Sequence, residues 1–262
     1  SIIEAHFPNR DKWFKKDVQV SLSRIHRAIH QETTLWARRF FWIALAETVR
    51  MTSNSRTSTF KLHIRKPEDI EGRNSDPVQV FNKLLDRNFQ HFQDQANLLM
   101  TSDHLANGYY KRDVSIALGD VRDIKEQTQC DIIITSPPYG DNATTVPYGQ
   151  YSYLPLQWID RRDIDEEIDE DFLASTHEID TRSLGGSKRV KDGETKSLCD
   201  RSPAFAQYVK ALCSQPRDRA LRITAFFRDL DACLDPILKT LRPNGLMVWI
   251  LGNRKVGGKR VP

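Results

Sequence analysis

An apolar strand that runs directly into two prolines constrains this chain more than any other segment. Ile132-Ile133-Ile134 is followed by Thr135-Ser136-Pro137-Pro138-Tyr139. Each proline lacks a backbone donor and restricts the preceding residue to extended conformations, so the strand must end abruptly. The carbonyls beyond that point lack ladder partners, and an aromatic ring follows. Such a loop offers acceptors to the hydrogens of an amino group and a ring face to a base, although Pro-Pro after a strand can also be a simple turn.

Length and composition describe a globular chain without membrane segments. Its 262 residues, 39% hydrophobic and 28% charged, suffice for one large domain or two small ones. No apolar run approaches a membrane span, and no signal segment opens the chain. The seven histidines show no metal-ligand spacing. The cysteines fit neither a metal site nor a disulfide framework, which favours a reducing cytoplasm; they are Cys130, Cys199, Cys213 and Cys233.

The net charge of +4 conceals a strong segregation of charge along the chain. Residues 1–66 hold 13 Lys/Arg and 5 Asp/Glu, whereas residues 160–180 hold 10 acidic and 2 basic residues. Residues 181–222 hold 10 basic and 4 acidic residues. Two basic regions separated by an acidic one suit a protein that touches a phosphate backbone on selected surfaces. Each region alone fits a solvated helix face equally well.

Residues 1–108 read as a mainly helical region that could face DNA. Apolar residues recur at helical spacing in two early segments, and a long amphipathic face follows Asp76-Pro77, which combines a capping acid with a first-turn proline. The Ser/Thr-rich segment 51–59 is expected to be a loop. The residues with helical spacing are Val18, Leu22, Ile25, Ile29, Leu45, Val49, Val78, Phe81, Leu85, Phe89, Phe92, Ala96 and Leu99.

Residues 109–262 alternate strands with helices, which indicates an α/β class. Three strands are expected, at 114–118 ending in Gly119-Asp120, at 131–135, and at 246–251. The isoleucine run predicts a parallel strand buried on both faces. Helices are expected after Ser202-Pro203 and from about Arg219, with Pro236 kinking or splitting the second one. A charged insertion occupies about residues 150–215.

The order strand, Gly-Asp, helix, strand, Ser-Pro-Pro-Tyr, helix, Arg-Pro-Asn-Gly, strand resembles that of the Rossmann-like methyltransferases that use S-adenosylmethionine. Within that class the chain is most similar to the bacterial site-specific DNA methyltransferases that modify exocyclic amines. Its Ser-initiated loop looks most like those of cytosine-N4 enzymes, whereas Asp is more typical of adenine-N6 enzymes. Weaker similarity extends through Phe7-Pro8, Ser53-Asn54-Ser55-Arg56 and Arg182-Ser183-Leu184-Gly185-Gly186.

The resemblance implies a partial Rossmann-like methyltransferase sheet preceded by a mainly helical region. It also implies transfer of a methyl group from S-adenosylmethionine to cytosine N4, in restriction-modification or phage defence. The expected partner is double-stranded DNA with a flipped target base. An adenine-N6 DNA enzyme, a guanine-N2 RNA enzyme and a catalytically inert DNA-binding accessory subunit are the alternatives.

The resemblance assigns catalysis to Ser136, Pro137, Pro138 and Tyr139. The Ser136 hydroxyl and the Pro137 carbonyl accept the amine hydrogens and turn the nitrogen lone pair toward the methyl donor. Tyr139 stacks on the flipped base or, alternatively, packs on the core as a lid. Displacement is then direct, and positioning and electrostatics supply most of the acceleration without a nucleophilic cysteine.

Further residues are assigned to the cofactor and to DNA. Asp120, at the end of a strand, resembles the acid that binds the cofactor adenine, or it caps the next segment; Thr135 and Asn253 complete the cofactor set. The DNA-binding set comprises Arg56, Asn54, Tyr148, Arg182, Lys188 and Arg189. Arg56 and Asn54 could instead belong to a structural loop, and Tyr148 could instead pack in the core. The recognition site is not readable, and residues 150–215 are our candidate for reading it.

The Gly-rich cofactor loop of the family pattern is absent from the sequence. No Gly-rich loop follows a buried strand, and Gly185-Gly186 and Gly257-Gly258 lack such a strand before them. We therefore expect a fragment or one half of a split enzyme, whose Gly-rich loop comes from missing flanks or a second chain. The chain alone is expected to bind S-adenosylmethionine weakly or not at all.

Overall fold

The structure is a computed structural model that describes residues 2–124, 129–138, 146–166, 168, 170–187, 189–191, 193–212, 217–252, 255–256 and 258–261. The helices are α1 (Arg10–Trp13), α2 (Lys16–His30), α3 (Leu35–Thr52), α4 (Pro67–Glu71), α5 (Pro77–Thr101), α6 (Tyr148–Leu156), α7 (Glu178–Arg182), α8 (Glu194–Arg201), α9 (Pro203–Leu212) and α10 (Arg217–Lys239). The strands are β1 (Leu105–Ala106), β2 (Tyr109–Tyr110), β3 (Cys130–Thr135), β4 (Leu241–Trp249), β5 (Lys255–Val256) and β6 (Lys259–Arg260).

The chain divides into two compact units. The helical unit comprises residues 1–117 and 150–176, and the sheet unit comprises residues 118–149 and 177–262. Residues 150–176 thus belong with the helical unit, whereas the sequence placed them inside a charged insertion of the second domain. Within the described residues, no helix combines the length and the apolar composition needed to cross a bilayer.

The helical unit is built on α2, α3 and α5, which pack against one another. The residues predicted from helical spacing in α2 and α3 are buried, with Leu22, Leu45 and Val49 wholly inaccessible to solvent. α5 begins as predicted, because the Asp76 carboxylate accepts hydrogen bonds from the backbone N–H groups of Val78 and Gln79. The later part of its predicted apolar face is open to solvent: Phe89 and Phe92 are both exposed.

A buried carboxylate fastens residues 160–164 to the same unit. Arg38 donates two hydrogen bonds of 2.7 Å to Asp163, and the Trp42 ring N–H donates a third of 2.7 Å. Arg38 and these hydrogen bonds hold the pKa of Asp163 below its usual value. The clamp joins positions about 120 residues apart, so no local pattern of the sequence could have predicted it.

The sheet unit centres on a parallel pair of strands, β3 and β4. The register runs from Ile132 opposite Leu246 to Thr135 opposite Trp249. Just before this register, β4 advances by five residues while β3 advances by two. Asn244, in that stretch of β4, has a φ of 68°. Residues 241–245, which precede the strand expected at 246–251, are therefore an irregular part of a longer strand, and β4 begins earlier than expected.

The hydrogen-bond ladder between β3 and β4 ends at the prolines, as the sequence predicted, because proline has no backbone N–H. The Ile250 N–H donates to the Thr135 carbonyl at 2.9 Å. In a parallel ladder the next donor on the β3 side would be residue 137, and proline has no N–H. The chain after Thr135 therefore leaves the sheet.

Helix α10 packs against β4 of this strand pair. α10 contacts α8, α9, β4 and the 3₁₀ turn Val121–Asp123. Ser202 caps α9 as predicted, because its hydroxyl accepts from the Phe205 N–H. Pro236, which was expected to kink or split the second helix, does not split it: α10 continues through it to Lys239.

Two expectations about the sheet are also wrong. Residues 113–120 carry no strand, and Ile116 within them is 95% exposed. β3 is not buried on both faces, since Ile132 and Ile134 are 55% and 68% exposed. The isoleucine run marks a strand, but burial of both faces requires further strands and a second helix layer. The described residues form only two-stranded sheets, so the wider Rossmann-like sheet is not confirmed, whereas the mixed helix-and-strand character is.

Candidate active site

The loop after β3 presents its polar group to solvent. Ser136 is exposed, and Pro137 and Pro138 are half-buried. Tyr139, the fourth residue of the predicted catalytic set, lies outside the described residues. Because the two prolines fix the backbone that carries it, the Ser136 side chain is held at the end of a strand and not on a free loop.

A cleft of about 470 Å³ lies within the sheet unit beside this loop. It brings together residues that the sequence assigned separately, namely Asp120, Thr135, Pro137, Pro138 and Arg182. The remaining lining residues are Gly119, Val121, Arg122, Ser183, Leu184, Asp229, Leu230, Cys233, Ile237 and Trp249. Two of the predicted catalytic residues and two of the predicted cofactor residues therefore line one depression, with an apolar wall of leucine, isoleucine and tryptophan.

Asp120 caps the segment that follows it, which is one of the two roles that the sequence left open for this residue. Its carboxylate caps the turn Val121–Asp123 by accepting from the Arg122 N–H at 2.9 Å. The Arg122 guanidinium also holds it, with Nε at 2.9 and 3.1 Å from the two oxygens. These contacts hold the pKa of Asp120 below its usual value. Asp120 thus faces the cleft as an ionised acceptor with a fixed orientation.

The far wall of the cleft comes from α10. Asp229 accepts a hydrogen bond of 2.8 Å from the Gly185 N–H and pairs with Arg228 at 2.7 Å. Burial raises the pKa of the Cys233 thiol, which keeps it protonated at neutral pH. A protonated thiol is a poor nucleophile. The sequence gave no motif for these α10 residues; only the helical spacing of 229 and 233 places them on one face.

Close packing requires glycine at both positions of the Gly185-Gly186 pair. Gly185 has a φ of 72°, and a Cβ there would lie 2.8 Å from the Phe226 Cα. A Cβ on Gly186 would lie 2.1 Å from the Asp180 carbonyl oxygen. The turn therefore presses against α10 and fixes the adjoining residues 182–184 at the cleft.

The DNA-binding candidates of the sheet unit fall in different settings. Arg182 lines the cleft and pairs with Glu178 at 2.8 Å. Arg189 is exposed, and Tyr148 is half exposed at the start of α6. Lys188, together with the cofactor candidate Asn253, lies outside the described residues.

The two candidates of the helical unit also differ from each other. Asn54 is buried, and its amide donates to the Lys12 carbonyl at 3.0 Å, which matches the structural alternative. Arg56 is exposed next to it. Of the tyrosines after the catalytic loop, Tyr153 is a core residue whose ring packs edge-on against Phe7 at 6.2 Å. In the part of the chain that the structure describes, no cluster of three metal-ligating side chains occurs.

Comparison with known proteins finds one informative relative. The chain is 31% identical over 259 residues to the Type II methyltransferase M.MvaI of Kocuria varians; the match covers 98% of this chain and 55% of the relative. This relationship confirms the similarity to bacterial site-specific DNA methyltransferases that the motifs predicted. The chain spans about half the length of the curated relative that it matches. No family model matches it, and no solved structure is significantly similar.

Proposed function

We propose that this chain presents the target amine in a DNA methyltransferase that uses S-adenosylmethionine and modifies cytosine N4. The observation that carries the proposal is the cleft in which Pro137 and Pro138 meet Asp120, with Ser136 exposed beside it. The similarity to a type II methyltransferase supports the same reading. We assign the reaction to a restriction-modification or phage-defence system in the cytoplasm.

The residues of the loop supply acceptors where a base amine needs them. An amino group on a heterocycle is a weak nucleophile because its lone pair is delocalised into the ring. Hydrogen bonds from its two N–H groups to the Ser136 hydroxyl and the Pro137 carbonyl would favour the orientation in which the lone pair is free. The two prolines hold these acceptors in place in advance, so little reorganisation is needed at the moment of reaction.

The cleft has the chemistry to hold the adenosine part of S-adenosylmethionine. Asp120 is an ionised acceptor suited to the adenine amine, and Leu184, Ile237 and Trp249 supply apolar surface. When bound, S-adenosylmethionine would supply an electrophilic methyl group. The protonated Cys233 in the same wall takes no part as a nucleophile.

The proposal also specifies the target base as cytosine and requires that this base be flipped out of the duplex. The Ser-initiated loop favours cytosine N4 over adenine N6 by its resemblance to cytosine-N4 enzymes. The amine is buried in the duplex, so the target nucleotide must leave the stack, and Tyr139 would then stack on it. We further propose that a Gly-rich loop for the methionine part of the cofactor comes from residues outside this chain, in the same polypeptide or in a second one.

Nucleoside mass spectrometry tests the proposal. The complete gene is expressed in cells that lack other DNA methyltransferases, and their DNA is digested to nucleosides. We expect N4-methylcytosine, and Ser136→Ala should reduce it about 100-fold or more, because removal of the hydroxyl acceptor costs the amine its productive orientation. Ser197→Ala, an exposed serine on α8, is the matched control and should change nothing.

The possible products separate the alternatives. N6-Methyladenine would keep the enzyme class and overturn the cytosine assignment. No methylated nucleoside from a folded, DNA-binding protein would favour the accessory subunit and overturn the proposal. Loss of product in Ser197→Ala to the same extent as in Ser136→Ala would remove the assigned role of the loop.

A further inference from the structure

A second surface, in the helical unit, has a composition unlike its surroundings. Residues 48–67 contain five Lys/Arg and no Asp/Glu, and six hydroxyl side chains occur between positions 52 and 59. Within this stretch a bridge between Ser55 and Ile64 closes the segment 55–64, which we call the basic loop. Lys/Arg and hydroxyl side chains are the common partners of DNA phosphates, and the absence of acids removes repulsion.

The basic loop is held firmly at its base. The Arg56 N–H donates to the His63 carbonyl at 2.8 Å, and the Arg65 N–H donates to the Asn54 carbonyl at 2.9 Å. Asn54 is itself anchored to Lys12. The Gln150 side chain accepts from the Leu62 N–H at 3.2 Å. A loop fixed in this way loses little conformational entropy on binding, which favours affinity.

The basic loop exposes one aromatic ring and two cationic side chains. Phe60 is 57% exposed, and its ring rests edge-on against Tyr151 at 5.6 Å. Arg56 and Lys61 are both exposed, and among the described residues neither forms an ion pair. Arg50, by contrast, is paired with Glu47 and covers the Tyr151 ring at 5.7 Å. The basic loop therefore carries an exposed ring together with two exposed cations that form no ion pair among the described residues.

We propose that the basic loop is a DNA-contact element, in which Arg56 and Lys61 bind phosphates and the Phe60 ring packs against the bases. An apolar side chain flanked by cations is an arrangement that proteins use to enter a DNA groove and displace base stacking. Lone exposed phenylalanines are common on protein surfaces; the neighbouring cations and hydroxyls distinguish this one. The inference rests on the proposed function for its choice of duplex DNA as the partner.

Salt-dependent DNA binding separates the two kinds of contact. Binding of the full chain to a 30-base-pair duplex is measured by fluorescence anisotropy over a range of salt concentrations. A phosphate contact releases counterions, so Arg56→Gln and Lys61→Gln should each reduce the slope of log affinity against log salt by about 0.9. Phe60→Ala should weaken binding about five-fold or more and leave the slope unchanged, because an apolar contact releases none.

Matched variants in α5 of the same unit provide the controls. Phe89 is 54% exposed and Lys83 is exposed, so Phe89→Ala and Lys83→Gln remove the same groups from a surface outside the basic loop. Both should bind DNA as the parent chain does. Phe60→Trp, which keeps a stacking ring, should restore binding. Circular dichroism confirms that each variant is folded.

The proposal is overturned if the loop variants match the α5 controls, or if Phe60→Ala alters the salt slope as Lys61→Gln does. Tighter binding of a single-stranded RNA of the same length, with the same dependence on the loop, would replace DNA by RNA as the partner. The assay needs neither cofactor nor methyl transfer. Loop-dependent binding without methylation would therefore overturn only the proposed enzyme, and methylation without loop dependence would overturn only this inference.

Discussion

The two units of this chain differ in how they treat their apolar side chains. In the helical unit, Leu22, Leu45 and Val49 are wholly buried, whereas Ile134 and Leu246 in the sheet unit are 68% and 63% exposed. Three amphipathic helices can close a core among themselves. A parallel pair of strands has a second face that only another layer can cover. The candidate active site thus lies in the unit whose strand pair leaves apolar side chains exposed.

Truncation of an apolar side chain should affect the free energy of unfolding very differently in the two units. Leu45→Ala should lower the free energy of unfolding by about 2–5 kcal/mol, because it leaves a cavity in a sealed core. Ile134→Ala should change it by less than about 1 kcal/mol, because that side chain is already mostly in water. Urea titration of the two variants measures both effects. Equal losses would mean that Ile134 is covered in solution.

The turn at Gly185 is a closely packed part of the sheet unit. Gly185→Ala should cost about 2 kcal/mol, since the new methyl group would collide with the Phe226 backbone. Gly193→Ala is the control: it shares a positive φ, but its Cβ would meet nothing within 4 Å. Its cost should be about half as large, from backbone strain alone. Thermal unfolding distinguishes packing from strain, and identical costs would rule out the collision.

Ion pairs in the two units should also differ. Asp163→Asn removes the charge of a buried acceptor that serves Arg38 and Trp42, with an expected loss of about 2 kcal/mol. Asp131 pairs with Arg242 at 2.8 Å, but both side chains are more than half exposed, so Asp131→Asn should cost less than about 1 kcal/mol. Denaturation midpoints at low and high salt provide the measurement. A larger salt effect on the Asp163 pair would contradict its burial.

The smallest expected effect concerns pH. Burial, and then the neighbouring His30, lower the pKa of His26, while Glu4 and Asp160 oppose the shift. Because the folded pKa lies below the unfolded value of about 6.5, the unfolded chain gains the proton first. Stability should therefore fall as the pH drops below about 6.5. His26→Gln should flatten this dependence between pH 7.5 and 5.5.

His91→Gln is the control for that measurement, since His91 is exposed on α5. It should leave the slope of stability against pH as in the parent chain. A slope that persists in His26→Gln would assign the acid sensitivity to another group. The depressed pKa of Asp163 adds a separate loss, which begins only as the pH falls below about 3.9.

The sequence predicted most where the cause is local. Helical spacing identified the buried faces of α2 and α3. Asp76 and Ser202 marked helix starts, and Pro137 marked the end of a strand because it lacks a donor. Prediction failed where the signal was real but the partners were distant. The isoleucines of β3 correctly indicated a strand, yet their burial depends on layers that no local pattern specifies, and Pro236 did not interrupt α10.

For the candidate site, the amino-acid sequence determined which chemical groups are available: a hydroxyl and carbonyls after a strand, an acid after Gly119, and glycines at 185 and 186. The tertiary structure decided that Asp120, Pro137 and Arg182 line one cleft and that Arg122, Asp229 and Cys233 join them. The tertiary structure also decided that Asn54 is buried and supports the backbone, whereas Arg56 is exposed. The sequence specifies the chemical group at each position. Positions far apart in the sequence come together only when helices and strands bury surface against each other.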